Sequence, residues 1–210
     1  MPRASYKDTV LQNFPTEIKV GEVENALLSG DAAAKKLLLK IVFHRLFNRY
    51  VRPLKNVLPT KRRSGFLTMA ASCLLIESYQ SFREGREYSE AGKKCFKKFF
   101  KNNPAFSEFV PFSKDFYSNI RCGILHQAET YENWLIIRKP RTPLFDPQSK
   151  SINADLFLDE LAKCLLGYFR HLAKADWNDS LWKAARFKLE KICEHCKAIP
   201  FVEPIWSYCI

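Results

Sequence analysis

The sequence predicts an all-α fold: a helical bundle of one domain spanning 1–210, interrupted once by a short strand or hairpin. Three observations carry this. Apolar residues recur at three- and four-residue steps through most of the chain, the period of a helix with one buried face. Acidic or hydroxyl residues, prolines and glycines punctuate those stretches where helices begin and end. Of 210 residues, 47% are apolar and 14% aromatic, enough for the core of one domain without staples.

The elements follow in order. An amphipathic segment, 16–29, starts after Pro15 with Thr16 as its cap. A second helix, 31–50, opens on Asp31 and is rich in alanine, lysine and leucine; Pro53 marks its approximate end, because proline lacks the amide a helix interior needs. Lys61, Arg62 and Arg63 bridge to a helix over 65–84 that Gly85 closes. Phe66, Met69, Ala70, Cys73, Leu74 and Ile76 fit its core-facing stripe. A short, very basic stretch, 90–101, comes next, and Pro104 and Pro111 then break the chain before a helix over 113–128. Trp134 to Ile137 depart from helical character, and Pro140, Pro143 and Pro147 follow, so the short strand or hairpin is expected here. Asn153 or Asp155 opens a helix over 154–174, in which Leu156, Phe157, Leu161, Cys164, Leu165 and Phe169 are amphipathically spaced. A last helix, 178–197, is capped by Asn178 or Asp179, and an apolar tail, 201–210, ends the sequence.

The net charge of +12 points to an anionic partner, with nucleic acid first and a membrane surface second. No apolar run approaches the ~20 residues needed to cross a bilayer. Seven cysteines, at 73, 95, 122, 164, 193, 196 and 209, are odd in number and form no regular framework. With no apolar signal core near Met1, they read as reduced thiols of a cytoplasmic protein. Cys193, His195 and Cys196 have the look of half a zinc site, but a closed tetrahedral cage needs four ligands and no second pair stands close by. No metal and no cofactor are therefore expected. There is also no glycine-rich phosphate loop, no carboxylate cluster for two metals and no nucleophile elbow.

The chemistry is concentrated at Arg121 and His126. A permanent cation stands five residues before the side chain that trades protons near neutral pH. That is the minimum equipment for cleaving RNA without a metal: the 2′-hydroxyl is the nucleophile, and the protein supplies a proton shuttle and a cation for the charge that builds on phosphate. On a regular α-helix, however, five residues rotate by about 140° and rise roughly 7.5 Å, so the two side chains diverge. Two solutions are open. The long arginine leans round, helped by Gly123, which weakens the helix between them; or two copies meet at a twofold axis and pool their pairs in one groove. The spacing equally fits a histidine satisfied by a local hydrogen bond beside a surface arginine. Around the pair, Lys94, Lys97, Lys98 and Lys101 are candidates for holding RNA phosphates, while the spacing of Phe96, Phe99 and Phe100 favours burial over base stacking. Asn119 is a further candidate for phosphate or base contact; Tyr117 fits core packing better.

Three stretches, Ser72 to Gly85, Tyr117 to Glu129 and Ser151 to Leu161, occur in an order that resembles the bacterial HEPN family, small helical proteins defined by an arginine and a following histidine with four to six residues between them. The resemblance covers roughly residues 64 to 175. It implies a HEPN-like helical bundle, a homodimer, and a metal-independent endoribonuclease of a toxin–antitoxin or anti-phage system, with RNA as substrate and an antitoxin or other defence-system protein as a further partner. Arg121 and His126 match the motif, and Glu77 falls on the helix that packs near it, where a carboxylate orients one of the two. The chain departs from the family pattern at Cys122, where many active members carry Asn, Asp or His. Members with degraded sites bind RNA or nucleotides without cutting, so the alternative is a non-catalytic dimer that binds RNA, a nucleotide or a protein.

Overall fold

A computed structural model of the chain describes residues 5–13, 16–57, 64–88 and 92–198. Pro15, the basic Lys61 to Arg63, the start of the 90–101 stretch and the tail 201–210 lie outside them. The fold is mostly helical, with two small sheets. Among the described residues no helix is long and apolar enough to cross a membrane.

The N-terminal part departs from the expected helix over 16–29. After a 3-10 turn at Tyr6–Asp8, β1 (Val10–Gln12) and β2 (Ile18–Lys19) pair antiparallel, and α1 begins only at Val20 and runs to Ser29. Thr16 does not cap it. Its hydroxyl instead accepts from Lys40 Nζ at 3.0 Å, while at the helix start Glu22 accepts from Lys19 N at 2.7 Å and Thr9 O accepts from Val20 N at 2.9 Å. Strand pairing wins here because Val10 to Gln12 offers a partner for amides that a helix beginning at Thr16 would leave orphaned.

Asp31 caps α2 (Ala32–Phe43) as expected, its carboxylate accepting from Ala34 N at 2.8 Å. The helix does not stop near Pro53. It widens into a π-helical stretch, His44–Val51, and continues as α3 (Arg52–Val57). A proline ring normally collides with the carbonyl four residues earlier. Here the hydrogen bonds reach back five residues, Arg52 N to Phe47 O, and the wider turn makes room for the ring.

The centre of the bundle is α4 (Gly65–Glu84), closed by Gly85 in the left-handed conformation with φ 61°. It packs against α8 (Ala154–Lys174) and α9 (Ser180–Ala198) and, near its C-terminal half, against α5 (Lys93–Asn102). Being covered on several sides, α4 does not follow the one-stripe expectation. Met69, Cys73 and Ile76 are buried, but Phe66 and Leu74 are about 40% exposed, and Thr68, Ser72, Glu77, Gln80 and Ser81 are buried in their place. A hydrophobic count along one helix cannot see which neighbours supply partners for such polar groups.

The rings of Phe96, Phe99 and Phe100 are fully buried, as their spacing predicts, and meet Phe106, Phe109 and Phe116, which in turn meet Phe157. Phe106 and Phe109 stand on a 3-10 turn, Pro104–Phe109, that Pro104 opens. This aromatic cluster is the anvil on which the motif segment sits. The strand expected after the motif is present, within a larger unit: β3 (Leu135–Ile137), β4 (Phe145–Asp146) and β5 (Ser151–Asn153) form a mixed sheet in the order β3-β5-β4. Of the two candidate caps for α8, Asn153 is the one used; its oxygen accepts from Asp155 N and Leu156 N, both at 3.1 Å. Asp155 is released to pair with Arg138 at 2.8 Å. For α9 the choice falls on Asp179, which accepts from Leu181 N at 2.8 Å.

Candidate active site

The expected helix over 113–128 is built from three pieces. A single α-turn, α6 (Ser113–Asp115), runs into a π-helical stretch, Phe116–Cys122, and then into α7 (Gly123–Gln127). Phe116 and Ile120 anchor the π stretch in the core, which leaves Tyr117 and Arg121 on its outer edge. In a π turn residues five apart stand over one another. Tyr117 and Cys122 do so and share a hydrogen bond.

The reach of the arginine side chain closes the gap that a regular α-helix would leave. Arg121 Nη1 lies 3.3 Å from His126 Nε2 within one protomer. The geometric need for a second copy to bring the pair together therefore does not arise. Arginine only donates, so in this contact Nε2 accepts and the ring proton resides on Nδ1. His126 is exposed and open to a substrate, whereas Arg121 is mostly covered, its side chain 12% exposed.

Glu77 holds Arg121 from behind. Nε donates to Oε1 at 2.8 Å and Nη2 to Oε2 at 3.3 Å, a two-point grip from a carboxylate that is only 4% exposed. The guanidinium carbon also lies 5.8 Å from the centre of the Tyr117 ring. Hydrogen bonding to Glu77 raises the guanidinium further above its ordinary value against a smaller opposing effect of burial, so it is cationic at any assay pH. Of its five N–H groups, Glu77 takes two and His126 one, which leaves two for a ligand as far as the described residues go. Nearby, burial pushes the Cys73 thiol upward, with the Glu77 charge adding to it, and burial followed by the Cys122 bond raises the Tyr117 hydroxyl. Both stay neutral beside the cation.

The backbone around the pair is held by Gly123. A β-carbon there would lie 2.5 Å from the carbonyl oxygen of Glu129, because the chain doubles back after α7. Ala128 takes the left-handed conformation at φ 59°, Glu129 N donates to Gly123 O at 3.4 Å, and Tyr131 N donates to Asn119 O at 3.2 Å. Gly123→Ala must therefore push this return loop away. A cost of about 1–3 kcal/mol is expected, measured as a lower melting temperature, together with weakened function. An unchanged melt would show that the loop yields freely.

The other sequence candidates are placed less closely. Lys94, Lys97, Lys98 and Lys101 are exposed on the outer face of α5, with Lys98 paired to Glu84 at 2.7 Å. Asn119 is half-buried and contributes its carbonyl to the return loop. Tyr117 packs on Phe96 as expected, but its ring contact with Arg121 went unforeseen; the i, i+4 spacing of the two was the available signal. On α9, Cys193 is buried while His195 is exposed and stacks on Tyr88, and among the described residues no three His, Cys, Asp or Glu side chains cluster in a way that could hold a metal. Cys73, Cys122, Cys164, Cys193 and Cys196 are free thiols. Comparison of the chain with protein-family models, with curated proteins and with solved structures found no match.

Proposed function

We infer that this chain is a metal-independent endoribonuclease of HEPN type, acting in a toxin–antitoxin or anti-phage system of the cytoplasm. The observation that carries the reading is the 3.3 Å contact of Arg121 with the exposed His126, made while Glu77 grips the other edge of the guanidinium. A phosphate that docks on the two remaining N–H groups draws Nη1 from the imidazole and frees the Nε2 lone pair. His126 then takes the proton of the 2′-hydroxyl, the 2′-oxygen bonds to phosphorus, and the bond to the 5′-oxygen breaks. Arg121 neutralises the charge on the phosphorane-like transition state. The 5′-oxygen recovers a proton from the imidazolium or from water, and the products carry a 2′,3′-cyclic phosphate and a 5′-hydroxyl. Dependence on the 2′-hydroxyl makes RNA the substrate and excludes DNA.

The test is incubation of the purified protein with total RNA in EDTA, with end-group analysis of the fragments. Cleavage that EDTA abolishes and magnesium restores would sink this chemistry. The lysines of α5 steer the strand in this reading. Reversing Lys94, Lys97 and Lys98 to glutamate should weaken RNA binding and flatten its dependence on salt; an unchanged salt slope would make them a solvated face. The homodimer remains part of the proposal, supported by the exposed Phe66, Leu67 and Leu74 of α4 and tested by light scattering.

One observation favours the binding-only alternative. The residue after the arginine is a cysteine whose thiol interacts with the Tyr117 hydroxyl. Protein that binds RNA in EDTA but leaves it intact would support that reading.

A further inference from the structure

The C-terminal half of α4 carries a polar face of which the Arg121–His126 pair uses only one end. Glu77, Gln80, Ser81 and Glu84 recur at three- and four-residue steps and so share one face of the helix. Glu77 meets Arg121 at one end of this face. Beyond it, Gln80, Ser81, Glu84, Arg86, Lys94 and Lys98 line a pocket of about 300 Å³ between α4 and α5.

Gln80 is only 4% exposed, and both its amide oxygen and its amide nitrogen are buried without a hydrogen-bond partner among the described residues. Buried amides are nearly always satisfied, so one left open on both sides points to a group that completes it. The neighbours are already committed. Ser81 Oγ donates to Arg86 O at 3.1 Å, and Glu84 accepts from Arg86 Nε at 2.6 Å and from Lys98 Nζ at 2.7 Å. The pocket wall thus holds an adjacent donor and acceptor on Gln80, both covered from solvent in this structure, with three cations against one carboxylate around them.

We propose that this pocket is a nucleotide subsite, in which the Gln80 carboxamide takes the edge of a base and Lys94 and Lys98 take the attached phosphate. It rests on the ribonuclease reading and names the feature of the strand that the site selects. A bare anion would leave the amide oxygen unmet and would face Glu84; an apolar ligand would leave both amide atoms unmet. A base edge supplies a donor beside an acceptor, and adenine, with its amino group beside N7, is the one a glutamine fits in two-point fashion. From Glu77 to Gln80 the helix rises about 4.5 Å, and to Glu84 about 10.5 Å. At about 3.4 Å per stacked nucleotide, the subsite falls one to three nucleotides from the phosphate held by Arg121.

The experiment uses full-length protein carrying His126→Ala, which leaves RNA uncut, and measures binding of fluorescent oligomers of A, C, G and U and, separately, of AMP. Oligoadenylate should bind roughly 10-fold more tightly than the weakest oligomer. Adding Gln80→Leu should remove most of that preference while leaving the weakest oligomer unchanged. It should not lower the melting temperature, since it deletes a buried group that lacks a partner among the described residues. Lys94→Glu should weaken all four oligomers alike. Gln80-dependent binding of AMP as tight as that of the strand would assign the subsite to a free nucleotide; a large gain with the strand assigns it to RNA. A base profile untouched by Gln80→Leu, in protein whose unmutated form cleaves RNA, overturns the subsite and leaves the ribonuclease reading standing. Protein that neither binds nor cleaves RNA and takes up no AMP overturns both.

Discussion

Glu77→Ala should lower the melting temperature by on the order of 10 °C and abolish function with it. Glu77 and Arg121 are a buried pair, their side chains 5% and 12% exposed. Removing the carboxylate strands a guanidinium that has lost its solvent and now loses its counter-charge, a defect that costs about 3–5 kcal/mol. For a chain of this size each kcal/mol shifts the melt by roughly 2–4 °C. The pair itself need not stabilise the fold, because its attraction must first offset the desolvation of both ions. Replacing both residues by methionine should therefore recover most of the lost stability while the protein stays inactive. Thermal melts of wild type, single and double variants, read beside RNA cleavage, check this. A single variant that melts within about 2 °C of wild type would mean that water reaches Arg121 freely. A double variant as unstable as the single would mean that the pair is needed for packing, not for placing the cation.

The second large effect concerns the pair that faces solvent. His126→Ala should reduce RNA cleavage by about 10²–10⁴-fold with little change in the melt, since an exposed helical position accepts alanine. Arg121→Ala should match it in activity but also leave Glu77 buried and unpaired, so it should melt lower. Arg121→Lys should rescue little: lysine keeps the charge but lacks the planar fork that binds Glu77 at two points and still reaches His126. If the two residues act as a unit, the double variant will cleave hardly less than either single one. Growth arrest on expression, or cleavage of total RNA, reads the outcome. Folded single variants with full activity would make the contact a structural one.

Local chemistry decided a good part of this molecule in advance. Asp31 caps α2, Gly85 closes α4 and Pro104 opens a new turn, because each acts on amides or dihedral angles within a few residues of itself. The periodic apolar positions of 154–174 gave α8 within a residue, and the i, i+3, i+4 rings of α5 went to the core as spacing required. Arg121 and His126 were legible as residue types. Their meeting was not, because it depends on which way a long arginine side chain leans, and Glu77 and Tyr117, from another helix and the preceding turn, fix that. The π stretch at His44–Val51 let α3 run through Pro53 against the local rule.

What the sequence by itself determined is the helical class and most helix ends, consequences of interactions between near neighbours, together with the residue types of the candidate pair, Arg121 and His126. Only the tertiary structure decided which face of α4 is buried, that Glu77 grips an arginine 44 residues away, and that Gln80 is buried with no partner for its amide among the described residues. The physical reason is that burial of a polar group is tolerated or costly according to what stands opposite it. In this fold the groups opposite arrive from distant segments, α5 and the π stretch at Phe116–Cys122, whose positions no local pattern encodes.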